Sequence, residues 1–594
     1  MACPMSATLC TILSLLPYNL EYQTPADLAS PKQLHDGDVY DFIIVGAGPA
    51  GSVLANRLSE IPSWKVLLLE SGGEELKLGE IPSFQPFLSQ TRFTWNYTTV
   101  PDDRICAGAP CLWVTGRGLG GGSLHNNMVY NRGNRHTFDE WEQMGNAGWG
   151  YEEMIYYFRK SENNQDPLIS RDKIYHSTKG PQTVSQFPYV DKNVKKIIEA
   201  FHELGYPDTD INGVNQTGVC LMQHLQKDGA RQSSAKSFLY PIREKRTNLK
   251  IVTNVRVTRV IINPQTKEAE GVEYAWENKR DVKGKMFARK EVIISTGSMA
   301  SPQLLMLSGV GPNKTLVPLG IDVIQNLPVG QNYQNHIESG SLNFTLNDTN
   351  TMMPNDEETL RDFLDYFTKR RGPLASEGFF DVSAYISSRY TDSSYPDIQI
   401  YFYPRVIYES DNERKEYLPP MCYYNTLSAV VFLMTVESRG YVTINTTDPF
   451  SYPLIYPNLL SEEKDMNALI DGYNFLLNNF SKSGVLIKNG IILDRTPLEQ
   501  CKQYQYASDD YWRCHVSYNT APVFHFSGSC KMGPSDDPTA VVDPQLRVHG
   551  IKNLRAADSS IQPKIVNGNT NAIALAIGEK AGELIKKSWI KNDI

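Results

Sequence analysis

Three glycines in the run Gly46-Ala47-Gly48-Pro49-Ala50-Gly51, and a carboxylate at Glu70, are the residues whose spacing points most directly to chemistry. A first glycine permits a tight turn, a second lets backbone approach a pyrophosphate, and a third lets a helix pack closely on a strand. A helix starting there offers free N–H groups and a partial positive charge to phosphate. An acid at Glu70 would accept hydrogen bonds from ribose hydroxyls. Its charge disfavours a 2′-phosphate, so FAD or NAD is expected rather than NADP.

Such a glycine run alone recurs by chance, so its setting decides. Tyr40 to Val45 is nearly continuous apolar sequence, as in a strand buried on both faces of a parallel sheet. Ser52 to Leu58 reads as a helix, and Val66 to Leu69 as a second strand that ends at Glu70. The expected order is therefore strand, glycine turn, helix, strand, acid, which is a complete dinucleotide-binding unit.

Composition removes other classes. The chain has 594 residues, 41% hydrophobic and 21% charged, which excludes a largely disordered polymer. Its net charge is -8 with no Lys/Arg-rich run, so a nucleic-acid partner is not expected. No apolar stretch reaches the roughly 18 to 20 residues of a membrane span. Residues 1–37 read as a leader, with Thr8 to Pro17 the length of a signal-peptide core but without a basic start. Sequons begin at Asn96, Asn215, Asn313, Asn343, Asn347, Asn445 and Asn479. Cys106 with Cys111, and Cys501 with Cys514, are close enough in sequence to close small disulfides, and secretion is the expected location. No C-x-x-C spacing occurs, and no metal site is expected.

Longer segments carry a family resemblance. Gly116 to Gly133 reads GRGLGGGSLHNNMVYNRG and Gly297 to Gly311 reads GSMASPQLLMLSGVG. Phe524 to Gly533 reads FHFSGSCKMG, and Asn567 to Glu579 reads NGNTNAIALAIGE. These resemble the signatures of the glucose–methanol–choline (GMC) flavin oxidoreductases, and Trp95-Asn96-Tyr97 and Ser438-Arg439-Gly440 resemble their insect branch. The resemblance implies FAD and oxidation of a small-molecule alcohol by hydride transfer to the flavin, with O2 or a quinone as acceptor. It also implies a mixed α/β fold: a Rossmann-like FAD domain and a second, sheet-based substrate domain. By position, 38–340 would form the FAD region with an inserted lid near 160–230. Residues 341–519 would form the substrate domain, and 520–594 would complete the FAD domain and active site.

Carried over residue by residue, the resemblance places Gly120, Gly121, Gly122, Asn126, Asn127, Val129, Val257 and Asp558 at the cofactor. Glycines there let a ring system lie against backbone, and an Asn126 amide suits the flavin edge. Val257 is expected in one strand-like run, Ile251 to Ile262. His125 stands where most members have an aliphatic residue and choline-oxidase-like members link histidine to the flavin, so a covalent FAD is an open alternative. His525, in an H-x-x-G-[ST]-C arrangement, matches the base, and Asn571 its polar partner beside the forming alkoxide. Gly122, Asn127 and Ser529 depart from the usual Ser, Gly and Thr. Of the remaining histidines, His35, His136, His176, His202, His224, His515 and His549 read as structural or surface. The charged stretch Asp356 to Arg371 reads as an amphipathic surface helix. The expected activity is ecdysteroid 3-oxidation with O2, of the ecdysone-oxidase type. A sugar or aryl alcohol oxidase or dehydrogenase, and an FAD-containing hydroxynitrile lyase, are the alternatives.

Overall fold

Val39–Val45 forms the expected buried strand and pairs in parallel with Val66–Leu69 on one side and Lys279–Ile294 on the other. Leu249–Val252 extends this sheet in parallel beyond Val66–Leu69. On the far side Glu268–Trp276 and Val255–Asn263 run antiparallel, and Leu554–Ala556 adds in parallel to Lys279–Ile294, making seven strands. The computed structural model describes residues 34–590 apart from 90, 411, 412, 418, 419 and 522, so the leader's apolar run lies outside the described residues.

The Ile251 to Ile262 run is not one strand. It divides at Thr253 and Asn254 into Leu249–Val252 and Val255–Asn263. Asn254 takes a left-handed φ of 59° and donates its N–H to the Gly72 carbonyl at 2.9 Å. Asparagine tolerates that region better than the β-branched residues around it, so the chain turns there, and Val257 belongs to the second strand.

A second sheet of eight strands is antiparallel throughout. Its main path is Ile491–Leu493, Ile337–Leu346, Thr426–Leu433, Ile398–Ser410, Val382–Ile386 and Gly218–Leu221. The sheet thus recruits Gly218–Leu221 from the segment read as a lid, and Thr520–Ala521 as a partner of Ile337–Leu346. Alternation decides its two faces. Ile400, Phe402, Val431 and Leu433 pack in a core shared with helices Val194–Glu203, Glu463–Asn478 and Asp509–Asn519. Tyr401, Tyr403, Val430 and Phe432 point the other way, into a separate cluster with Phe380 and Val523.

The charged stretch forms the helix Asp356–Lys369, closed at its start by a capping box between Asn355 and Glu358. Both expected disulfides, Cys106–Cys111 and Cys501–Cys514, are formed, whereas Cys220, Cys422 and Cys530 are free and buried. No helix among the described residues is long and apolar enough to cross a membrane.

The helix Thr570–Ile590 returns the chain's end to its beginning by packing along Pro49–Leu58. Contact is close at Gly578, where a Cβ would lie 2.7 Å from the Ala50 carbonyl oxygen. Beside it the fully buried Glu579 accepts two hydrogen bonds from Arg57, at 2.7 and 2.6 Å, with Lys160 at 3.2 Å. Glu579→Ala leaves the mostly buried Arg57 without that partner, and about 3–5 kcal/mol of stability should be lost. Denaturant unfolding of the FAD-loaded protein checks this; a midpoint equal to wild type would show that the pair does not hold the helix.

Candidate active site

The first glycine turn is shaped by contact. At Gly46, with φ +97°, a Cβ would lie 2.4 Å from the Ser295 carbonyl oxygen, and at Gly51 one would lie 2.0 Å from the Gly46 carbonyl oxygen. Gly48 differs: a Cβ there would meet no atom within 4 Å. That open space, directly before the helix Pro49–Leu58, is where a phosphate fits against backbone. Glu70 accepts from the Ala47 and Gly72 N–H groups, one on each oxygen and both at 2.8 Å. A carboxylate oxygen has two acceptor sites, so one remains on each for a ribose.

From this turn a single long cavity runs to the C-terminal motifs. Of the expected cofactor residues, Gly46, Gly48, Glu70, Gly121, Gly122, Asn126, Asn127, Val129, Val257 and Asp558 line it, together with His525 and Asn571. Gly51 and Gly120 do not line it, and Gly51 serves packing instead. The two glycine segments touch, since a Cβ on Gly121 would lie 2.6 Å from the Gly48 Cα. Asn126 Oδ1 accepts from Arg231 at 2.8 Å, which leaves its amide N–H groups for the cavity. Asp558 Oδ2 accepts from the Gly297 N–H at 2.9 Å and the Ser301 hydroxyl at 2.6 Å, tying the second signature to the cavity floor.

His125 is placed elsewhere. Its buried ring lines a second, small cavity with Arg231 and Leu124 and stands edge-on to Phe524, 5.8 Å between centroids. Burial and the Arg231 charge push the imidazole down to about 3, so it is neutral. The ring does not line the long cavity itself, although Phe524, against which it packs, does. It sits one wall away, because Gln85 donates to its backbone carbonyl at 2.9 Å and Arg231 binds the carbonyls of Ser123 and Asn126 on either side.

His525 is positioned from two directions. Gln334 and Ser527 exchange both backbone N–H···O bonds at 2.9 Å, the Asn335 Oδ1 accepts the His525 N–H at 3.2 Å, and Asn335 Nδ2 donates to the Val523 carbonyl. On the other side Gly528 and Cys530 donate to the carbonyls of Ser559 and Ser560. Three residues that sequence reasoning missed complete this end. His336 Nδ1 lies 2.9 Å from His525 Nδ1, Asn569 Nδ2 lies 3.3 Å from His525 Nε2, and Glu338 lines the cavity. The only sequence sign of the first is a histidine just before the alternating strand Ile337–Leu346, which is no signal of chemistry.

Asn571 stands in the first turn of Thr570–Ile590, whose unpaired N–H groups add positive potential. The side-chain oxygens of Asn569 and Asn571 are buried without a partner. Buried polar atoms are nearly always satisfied, and these two residues line the cavity, where a ligand could donate to them. The second sheet adds Tyr401, Tyr403, Phe432, Gln399 and Glu338 to the cavity lining, and the turn Gly378–Asp381 just before one of its strands adds Phe380. Tyr401 donates its hydroxyl to Glu338, and burial pushes that carboxyl up to about 7. Burial and His336 hold His525 well below the ordinary histidine range. The imidazoles at this end are thus uncharged, and Glu338 is the group there whose charge changes near neutral pH.

A glycine-turn sheet joined to an antiparallel sheet across one such cavity is the architecture of a flavin oxidoreductase. Residues 40–338 and 436–578 match the two parts of the GMC oxidoreductase description, and the chain belongs to that family. It is 38% identical over 577 residues to a glucose dehydrogenase (FAD, quinone) of Drosophila pseudoobscura pseudoobscura, covering 96% of this chain and 90% of that one. An ecdysone oxidase of Bombyx mori is 33% identical over 582 residues, 94% of this chain and 83% of the relative. The crystal structure of a formate oxidase superposes with a TM-score of 0.82 at 26% identity, covering 94% of this chain and all of that one. The protein is an FAD-dependent oxidoreductase acting on alcohols.

The residues present fit FAD: open space at Gly48, acceptor sites on Glu70, and backbone-lined walls at Gly121 and Gly122. Gly48→Ala puts a methyl group into that open space and strains nothing else, since Gly48 has an extended backbone that alanine adopts. The fold should stay intact while FAD binds ~10- to 100-fold more weakly, the scale of a one-methyl overlap. Reconstitution of the apoprotein followed by flavin absorbance reads this; full FAD retention would place the pyrophosphate elsewhere.

Proposed function

We propose that this protein oxidises a hydroxyl on a bulky, partly apolar alcohol, with an ecdysteroid 3-hydroxyl as substrate and O2 as acceptor. The observation that carries the reading is the aromatic wall of Phe380, Tyr401, Tyr403 and Phe432 facing His525 and Asn571. Such a wall suits the faces of fused rings, and Glu338 and Gln399 can hold a second hydroxyl. FAD, when bound, supplies the two-electron acceptor for the hydride. The chain's own part is to take the hydroxyl proton on the neutral His525 imidazole while Asn571 donates to the oxygen as negative charge develops. The similarity to glucose dehydrogenase favours a second reading, a sugar as substrate with a quinone acceptor, because Glu338 and Gln399 also suit a polyol.

An anaerobic screen separates these: ecdysone, glucose and benzyl alcohol are each mixed with the holoenzyme, flavin bleaching is recorded, and air or a quinone is then admitted. Fast bleaching by ecdysone and re-oxidation by air support the first reading. Preference for glucose and indifference to air support the second, and mandelonitrile cleavage without bleaching would make the protein a hydroxynitrile lyase. His525→Ala should lower flavin reduction at least ~100-fold with FAD retained, and Asn571→Ala about 10- to 100-fold. Stopped-flow reduction at wild-type speed in the first variant would remove His525 from the chemistry.

The pH dependence has a definite sign. A base must be unprotonated to act, and the folded protein holds His525 well below 6.5. Protonation, and loss of rate, therefore begins only below that value. His525 should therefore cause no loss of flavin reduction from pH 8 down through 6.5, where an ordinary histidine would already be half protonated, and any change within that window belongs to Glu338, whose buried carboxyl is pushed up to about 7.

A further inference from the structure

We infer that His336 is a positioning residue that fixes His525 in the tautomer with hydrogen on Nδ1 and a lone pair on Nε2. The inference rests on His525 being the base, and it adds the device that presents the right nitrogen.

The argument follows hydrogen atoms along one line. His336 Nε2 lies 3.0 Å from the Val566 carbonyl oxygen, which only accepts, so Nε2 carries a hydrogen. The ring is fully buried and burial pushes it down to about 3, so it is neutral and its Nδ1 holds a lone pair. That nitrogen is 2.9 Å from His525 Nδ1. Two lone pairs cannot meet at that distance, so the hydrogen between the rings belongs to His525 Nδ1. A neutral His525 then has its lone pair on Nε2, beside the Asn569 amide, which lies 3.3 Å away and can donate to it.

The surroundings leave little freedom for any other arrangement. The two rings stand at 89°, and Phe432 packs against both, with centroids 5.0 and 5.7 Å away. No carboxylate pairs with either ring among the described residues. In hydrolytic triads a carboxylate orients the catalytic imidazole; here an uncharged histidine, itself oriented by a carbonyl, does so. When the substrate O–H bond breaks, its proton goes to His525 Nε2 and the electron pair stays on oxygen. The Nδ1–H bond to His336 persists through that step, and only the Asn569 amide, which donates to Nε2 before the substrate arrives, has to turn away. Without His336, His525 is free to carry its hydrogen on Nε2 and present a donor where an acceptor is required.

The test has a spectroscopic and a kinetic arm. In FAD-loaded protein labelled with 15N-histidine, long-range 1H–15N correlation at neutral pH should show His525 as the Nδ1–H tautomer, assigned by the signals lost in His525→Asn. This arm needs no substrate and no change at His336, so it stands even if His525→Ala shows that another group is the base. With ecdysone as reductant, or glucose if it is faster, His336→Phe should lower the limiting rate of flavin reduction about 10- to 100-fold and change substrate affinity less than about 3-fold. His336→Gln should recover the rate to within about 5-fold, because its amide can accept from His525 Nδ1–H and donate to Val566. A wild-type spectrum with hydrogen on His525 Nε2, a wild-type rate in the Phe variant, or a Gln variant as slow as Phe would each overturn the proposal. If the Phe variant does not hold FAD, the spectrum and the Gln variant decide.

Discussion

The exchange of hydrogen bonds between Gln334 and Ser527 is the constraint on which the active site depends. Gln334 lies just before the strand Ile337–Leu346 of the antiparallel sheet. Ser527 leads into Gly528 and Cys530, which are held by Ser559 and Ser560 next to Asp558 and the strand Leu554–Ala556 of the other sheet. His525 therefore sits where the two sheets are joined backbone to backbone. Neither sheet can shift against the other without moving the imbalance of hydrogen bonds into a buried site, where each unmade bond costs about 1–3 kcal/mol. Precision at the reacting carbon follows from that rigidity, since effective orientation is lost with displacements near 1 Å.

Charge distinguishes His525 from a histidine held in a structural ion-pair network. His176, between Glu162 at 2.8 Å and Asp210 at 2.7 Å, is raised above its ordinary value and has both ring nitrogens occupied, as expected of a structural histidine. At the cavity both ring nitrogens of His525 are also met, by His336 and Asn569, but no carboxylate is among the partners and the ring is held well below the ordinary histidine range; Asn569 and Asn571 keep unpartnered side-chain oxygens there. Unmet polar atoms in a buried cleft beside a glycine-lined wall belong to a ligand's complement rather than to the core. Neutrality also suits the chemistry, because a developing alkoxide is stabilised by fixed dipoles without a fixed positive charge that would trap the product side.

Much of the cofactor half was legible because local rules write it. The strand Val39–Val45, the turn at Gly46, the helix after it and the acid at Glu70 are neighbours in sequence, so spacing alone orders them. His125 shows where this ends: its neighbours Gly121, Gly122 and Asn126 line the large cavity, yet Arg231, over a hundred residues away, helps turn its ring to the far side of the wall. His336 and Asn569 escaped for the same reason, since their partner is distant in the chain and no periodicity marks it. The run from Ile251 to Ile262 looked continuous because a single Asn254 interrupts it, and propensity averages hide one residue with positive φ.

The two faces of the antiparallel sheet explain how one framework serves different alcohols. Ile400, Phe402, Val431 and Leu433 are committed to the helices behind, where a lost methylene is felt as a cavity. Tyr401, Tyr403 and Phe432 alternate with them and, with Glu338 of the neighbouring strand, line the cavity. Because side chains alternate strictly along a strand, the substrate-facing set can change while the packed set stays fixed. The parallel strands Val39–Val45 and Val66–Leu69 of the cofactor sheet have no such free face, being buried along almost their whole length, with Pro49–Leu58 packed on them and the glycine segments touching at Gly48 and Gly121. What the cavity accepts can therefore change through a handful of alternating positions while the buried set, and with it the framework that holds His525, stays as it is.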